Sequence, residues 1–263
     1  MTSVRSPAVA GMFYPADPAA LTDAVSRCLA EAGDAAGESP PKAVIAPHAG
    51  YVYSGPVAAS AYARLAPLRG RIARVVLLGP AHRVAFRGLA LPGVEAFATP
   101  LGEVKLDTAA VAALSALPQV VTLPDAHAAE HSLEVHLPFL QTVLGDFSLV
   151  PMVVGDAPDR DVEEVLETLW GGEETLIVIS SDLSHYHDYA TARAIDAATS
   201  ASIVALDETR IGFEQACGRA PIGGLLRCAR RRGMRAACID LRSSGDTAGP
   251  RGEVVGYGAY VFG

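Results

Sequence analysis

Cysteine is scarce in this 263-residue chain. There are four, Cys28, Cys217, Cys228 and Cys238, and no two form a C-x-x-C pair. This excludes a zinc ribbon and a thioredoxin-type redox motif. Cys28, on the apolar face of an expected helix, and Cys238, in an expected strand, read as core residues, since free cysteine is usually buried. No apolar run approaches the ~18–20 residues that span a bilayer, and residues 1–5 are followed by no signal-peptide core. Positive charge is also short. A formal net charge of −8 gives no footprint for nucleic acid or an anionic membrane. The run Arg230-Arg231-Arg232 is too brief to change this and suits a helix C-terminus, where cations complement the dipole. There is no internal repeat, no G-x-S-x-G elbow and no H-E-x-x-H pair, which argues against an α/β-hydrolase serine site and a zincin. The expectation is a soluble, cytoplasmic protein. Its 50% hydrophobic content is ample for a core over residues 1–263 as one domain.

What the chain does have is uninterrupted apolar runs that end in polar residues. Leu176-Ile177-Val178-Ile179 does not alternate, so it reads as a strand buried on both faces, and it ends in Ser180-Ser181-Asp182-Leu183-Ser184-His185. Ala43-Val44-Ile45-Ala46 ends in Pro47-His48, and Arg74-Val75-Val76-Leu77-Leu78 ends in Gly79-Pro80-Ala81-His82. Strands of one parallel sheet would deliver His48, His82 and His185 to the same edge, where open α/β sheets bind ligands. Helical patterns separate these runs. Asp17-Pro18 opens a helix with Leu21, Val25, Cys28 and Leu29 on one face. Further helices are expected over 57–65 after a turn at 50–56, from Asp107 to about Leu117, over 131–144, over 159–170, from about Ala190 to Leu206, over 211–215 and from about Pro221 to Arg232. Residues 33–41 read as a surface loop. The whole is an α/β protein: a central, mainly parallel sheet flanked by helices.

His48 and His82 are placed as metal ligands on strand-end loops, although a single such histidine more often serves as a hydrogen-bonded loop residue. Cys217 is the best third donor, because an expected helix N-terminus and Arg219 would favour its thiolate; the alternative is an inert buried thiol. Two imidazoles and one anion resemble the facial triad of non-haem Fe(II) oxygenases, with sulfur in place of carboxylate. Zn(II) and Cu(I) suit sulfur as well. His185 is the candidate acid/base, with Asp182 orienting it; Asp182 also reads as a helix cap. Glu130-His131 and Glu134 could reach the same cleft, and Tyr51 and Tyr53 could line it or simply pack the loop. His127, His136 and His187 read as surface or packing residues.

Seven segments together resemble the Memo family, called AmmeMemoRadiSam system protein B in prokaryotes. They are Pro7-Ala8-Val9-Ala10-Gly11-Met12-Phe13-Tyr14-Pro15, Pro47-His48-Ala49-Gly50-Tyr51, Leu78-Gly79-Pro80-Ala81-His82, Glu130-His131-Ser132-Leu133-Glu134-Val135-His136-Leu137-Pro138, Ser180-Ser181-Asp182-Leu183-Ser184-His185, Cys217-Gly218-Arg219-Ala220-Pro221-Ile222-Gly223 and Ser244-Gly245-Asp246. The resemblance implies a fold similar to class III non-haem-iron extradiol dioxygenases. It implies metal binding at His48, His82 and Cys217, with Asp182 and His185 beside them; Fe(II) is the expected metal, and His131 is expected in the pocket wall. It also implies association with a radical-SAM protein and an AMMECR-type protein. The expected function is a metal-dependent redox enzyme, dioxygenase-like, acting on a small or peptide-borne aromatic substrate. The alternatives are a metal-binding or peptide-binding adaptor and a zinc hydrolase.

Overall fold

A computed structural model describes residues 3–33 and 40–263. The loop expected over 33–41 therefore falls largely outside the described residues. In chain order the strands are β1 (Val4–Arg5), β2 (Ala43–Ala46), β3 (Arg74–Pro80), β4 (Leu89–Leu91), β5 (Ala96–Thr99), β6 (Gly102–Lys105), β7 (Val120–Thr122), β8 (Ser148–Val154), β9 (Thr175–Ser180), β10 (His185–His187), β11 (Ala236–Ser243) and β12 (Val254–Phe262). The helices are α1 (Pro18–Ala32), α2 (Tyr51–Ala63), α3 (Thr108–Leu114), α4 (Pro124–Ala128), α5 (Leu137–Leu144), α6 (Asp159–Leu169), α7 (Tyr189–Val204), α8 (Arg219–Arg231) and α9 (Ser244–Thr247).

The main sheet runs β10-β12-β2-β9-β3-β8-β4-β7, with β11 also pairing with β12. Its centre, β2-β9-β3-β8, is parallel throughout. Antiparallel joins occur on either side, where β12 meets β2 and β4 meets β8. A small second sheet, β1-β5-β6, packs beside it. The uninterrupted apolar runs follow from this geometry. Successive strand residues face opposite sides, and both sides are covered. Val75, Leu77, Leu176 and Val178 enter one core with residues of α1, α2 and α5. Val76, Leu78, Ile177 and Ile179 enter a second core with residues of α3, α6 and α8.

Helix starts follow capping chemistry where a cap exists. Asp17 accepts from the Ala20 N–H and Asp107 from the Ala110 N–H. Four local expectations fail, the last of them that Cys238 is a core residue. The segment 50–56 is not a turn: α2 begins at Tyr51 and carries Pro56 inside it. The carbonyl that Pro56 cannot satisfy belongs to Val52, which is 65% exposed, so water can bond it. Asp182 caps no helix; α7 is capped by Asp188, after the short strand β10. Residues 211–215 form turns rather than a helix. Cys238 is exposed, because β11 lies at the sheet edge, and Cys28 is only half-buried. Arg230 and Arg231 occupy the last turn of α8 and pair with Glu208 and Glu163. Among the described residues no helix is long and apolar enough to cross a membrane.

Two histidines outside the cleft make the fold acid-sensitive. His127 Nε2 donates to the Ala90 carbonyl at 2.8 Å, and His136 Nδ1 lies 2.5 Å from the Tyr62 hydroxyl. Burial above all holds them below the ordinary imidazole value, His127 at about 4 and His136 at about 3. A depressed folded value means that unfolding takes up protons once the pH drops beneath the ordinary ~6.5. Stability is therefore complete above that pH. Each histidine is expected to remove about 1.4 kcal/mol per pH unit as the pH falls towards its folded value. Guanidinium denaturation at a series of pH values checks this. His127→Gln, which keeps a donor for Ala90, should flatten the dependence by about one proton; an unchanged slope would refute the assignment.

Candidate metal centre

The sheet register brings the strand ends level. Ala46 pairs with Ser180, and Leu78 with Ile179. The residues after them, His48, Asp182 and His82, leave at one edge and line one open cleft of about 560 Å³. His131 and His185 line it too.

His48 is almost fully buried. Its N–H donates to Asp182 Oδ1 at 2.8 Å, and its Nδ1 lies 2.6 Å from Ser180 Oγ. That hydroxyl donates to the Ser132 carbonyl at 2.6 Å. Having used its only proton, Ser180 must accept from His48 Nδ1–H, which leaves the lone pair on Nε2. Ser180 is thus an orienting residue, not a nucleophile. Burial holds the His48 imidazole neutral, well below its ordinary value, with the neighbouring histidines adding to the effect.

His82 is fixed in the same tautomer by a different partner. Its Nδ1 lies 2.9 Å from Glu130 Oε1, and its N–H donates to Glu130 Oε2 at 2.6 Å. The N–H groups of His131 and Ser132 donate to the same Oε1. Burial would push the Glu130 carboxyl up, but the His82 hydrogen bonds and charge, with the backbone donors, hold it at about 2. An anionic carboxylate behind a histidine is the usual outer partner of a metal-ligating imidazole. It orients the ring and leaves Nε2 free. The approach of β3 to this segment is close: a Cβ at Gly79 would sit 2.9 Å from both the Leu133 and Ser132 side chains.

His131 stacks on His82, with ring centroids 4.7 Å apart, and packs at 4.7 Å against Phe13. Its pKa falls to about 4, chiefly by burial and then by His82. One donor atom from each of His48, His82 and His131 lies within 4.8 Å of the others, so the three could hold a metal ion. The fit is chemical as well as spatial, since two of the rings are locked with Nε2 lone pairs available.

Cys217 stands outside that group of three but touches it. Its Sγ lies 3.5 Å from His48 Nε2 and accepts from the Asp182 N–H at 3.3 Å. Gly218 makes this possible, because a Cβ there would come within 2.6 Å of the Ser180 carbonyl oxygen. The expectation of a thiolate favoured by Arg219 fails for the free chain. Burial, followed by the nearby Asp182 charge, pushes the thiol up to about 12. Arg219 turns instead to Asp159 and the Phe213 ring. Asp182 Oδ2 lies 3.9 Å from His48 Nε2, and burial raises its carboxyl to about 7. His185 is lowered, mainly by burial. The next residue, Tyr186, is 74% exposed and takes the left-handed φ of 60°, a strained backbone for a side chain of that size.

Glu134 does not reach the cleft; it is fully buried beneath the N-terminal segment. Tyr51 is also buried, its hydroxyl donating to the Val135 carbonyl, while Tyr53 does line the cleft. The residue-by-residue reading missed three contributors: Phe13, Ser180 as an orienting group, and Glu130 as the carboxylate behind His82. Phe13 lies in a segment without periodicity. Glu130, directly before a histidine, was the one with a local signal.

The sequence profile described as "Memo-like protein" matches residues 5–261. A MEMO1 family protein of Archaeoglobus fulgidus is 35% identical over 98% of this chain and 99% of its own length. One from Methanothermobacter thermautotrophicus is 37% identical over 97% and 98%, and one from Thermotoga neapolitana 34% identical over 97% and 98%. Among solved structures, the uncharacterized protein JW3007 from Escherichia coli K12 shares the fold. Its TM-score is 0.52 and its identity 14%, and the match covers 83% of this chain and 98% of that one. With its histidine cluster carried on segments that match from near one end to the other, the chain belongs to the Memo family.

Proposed function

We propose that this chain is a metal-dependent redox protein, with Fe(II) held by His48, His82 and Cys217 and an aromatic substrate, small or peptide-borne, in the cleft. The observation that carries the reading is the 3.5 Å separation of Cys217 Sγ and His48 Nε2. Donors from parts of the chain 169 positions apart are thus brought close enough that one ion could be held by both. Phe13, Tyr53 and Tyr257 supply aromatic walls for a planar guest. Bound there, a ferrous ion would supply one-electron chemistry and open coordination positions. The protein's own work is to fix the donors. Ser180 and Glu130 each accept from an imidazole Nδ1 and so aim the His48 and His82 rings, and His185 Nδ1 or Nε2 offers a proton acceptor on the substrate side.

A second reading has its own support. The three imidazoles form a metal-sized group without sulfur, and three histidines with a water are a hydrolytic zinc arrangement. Cobalt(II) substitution separates the two. The leading reading expects a sulfur-to-cobalt charge-transfer band that Cys217→Ser abolishes, together with oxygen uptake by the anaerobically iron-loaded wild type when a catechol is added. A band-free cobalt spectrum with stoichiometric metal in both proteins would replace it with the three-histidine site. Failure of the folded protein to take up any metal would leave the cleft as a binding surface and refute both.

A further inference from the structure

A second cavity, of about 310 Å³, has Cys217 in its wall. It and the cleft share neither His48 nor His82; Cys217 is in the wall of the smaller one alone. Val84, Phe86 and Pro221 make its surface largely apolar, and Arg219 is its cationic member.

Arg219 is not fully used by the fold. Its Nη1 pairs with Asp159 Oδ1 at 3.4 Å. Its Nε is buried and has no hydrogen-bond partner among the described residues. A buried donor without an acceptor is a standing cost, and each such group calls for an explanation. The guanidinium is also held in place, because it lies 4.2 Å over the ring of Phe213, which is itself 78% exposed. With Nη1 taken, the remaining Nε–Nη2 edge is the one that meets a carboxylate in two parallel hydrogen bonds.

We propose that this cavity is a ligand site for a small monocarboxylate with an apolar body. Its volume lies at the lower end of small-molecule pockets. The carboxylate would accept from the Arg219 edge, and the hydrocarbon part would cover Val84 and Phe86. The exposed Asp156 at the rim disfavours a second negative charge, which points away from dicarboxylates. The cavity shares Cys217 with the proposed metal centre, but the carboxylate contact at Arg219 needs no metal there.

Calorimetric titration of the full chain with benzoate, hexanoate and glutarate tests it. One molecule of benzoate or hexanoate per chain is expected, with glutarate weaker. Arg219→Lys keeps the charge but not the two-donor edge, and should weaken binding roughly 10- to 100-fold. Ala85→Trp, at an exposed position in the wall, should abolish binding with the thermal midpoint unchanged. His82→Ala, in the other cleft, should leave binding intact. Absence of binding by both monocarboxylates would overturn the proposal. So would binding that survives Ala85→Trp, binding lost in His82→Ala, or tighter binding of glutarate. A peptide chain end offers the same chemistry, so tighter binding of N-acetyl-trialanine than of either acid would overturn the small-molecule assignment.

Discussion

Glu134→Ala is expected to remove about 3–5 kcal/mol of folding stability, the usual result of stripping one partner from a buried ion pair. That is a large share of the ~5–15 kcal/mol by which domains are stable. Glu134 is completely buried. Its Oε2 accepts from Arg5 Nη1 at 2.7 Å and from the Ala8 N–H at 2.7 Å. Its Oε1 accepts from the Val9 N–H at 3.0 Å and the Tyr14 hydroxyl at 2.7 Å. Alanine would leave four donors facing a void, one of them a cation. Arg5 would keep the carbonyls of His127 and Glu130 and the face of Phe97. Guanidinium denaturation measures the loss. Glu134→Gln should lose less, and adding Arg5→Met to Glu134→Ala should recover part of the stability by removing the stranded charge. A loss under about 1 kcal/mol for the alanine variant would show that water or rearrangement replaces the network. The network holds Val9 and Tyr14, on either side of Phe13, which packs against His131, so a weakened metal site should accompany the weakened fold.

Glu130→Ala should act on the centre more directly. The carboxylate orients His82 and collects three backbone donors, from His82, His131 and Ser132. Losing such an outer partner typically lowers metal affinity about 10- to 100-fold. Stability should fall by roughly 2–4 kcal/mol, since buried N–H groups lose their acceptor. Glu130→Gln separates the two effects. It keeps the volume and one acceptor oxygen, so the fold should largely survive, but it places an amide where an anion faced His82. Competition for zinc against a chromogenic chelator gives the affinities. Wild-type affinity in a folded Glu130→Gln protein would remove Glu130 from the metal centre.

The apolar strands were readable because burial on both faces leaves an unmistakable mark. Residues 43–46 coincide with β2 and 176–179 fall within β9, and the cleft lies at the carboxyl edge where a parallel centre puts it. The histidines at that edge were readable for the same reason. Helix limits were legible where a side chain caps the backbone, as at Asp17 and Asp107. They were not legible at α2, where Gly50 offers no cap bond and Pro56 suggests a break.

Hydrophobic pattern therefore determined the fold class and the edge that carries the chemistry, because periodicity and strand-end polarity are local properties; the family was carried by the resemblance of seven motif segments. Which groups bear on which histidine was decided only by the tertiary structure. Ser180 reaches His48 from 132 positions away, and Glu130 reaches His82 from 48. Orientation, tautomer and protonation depend on such distant partners and on burial. The fate of Cys217 shows this most clearly: its neighbours in the chain favour a thiolate, whereas its neighbours in space bury the sulfur and keep the proton on it.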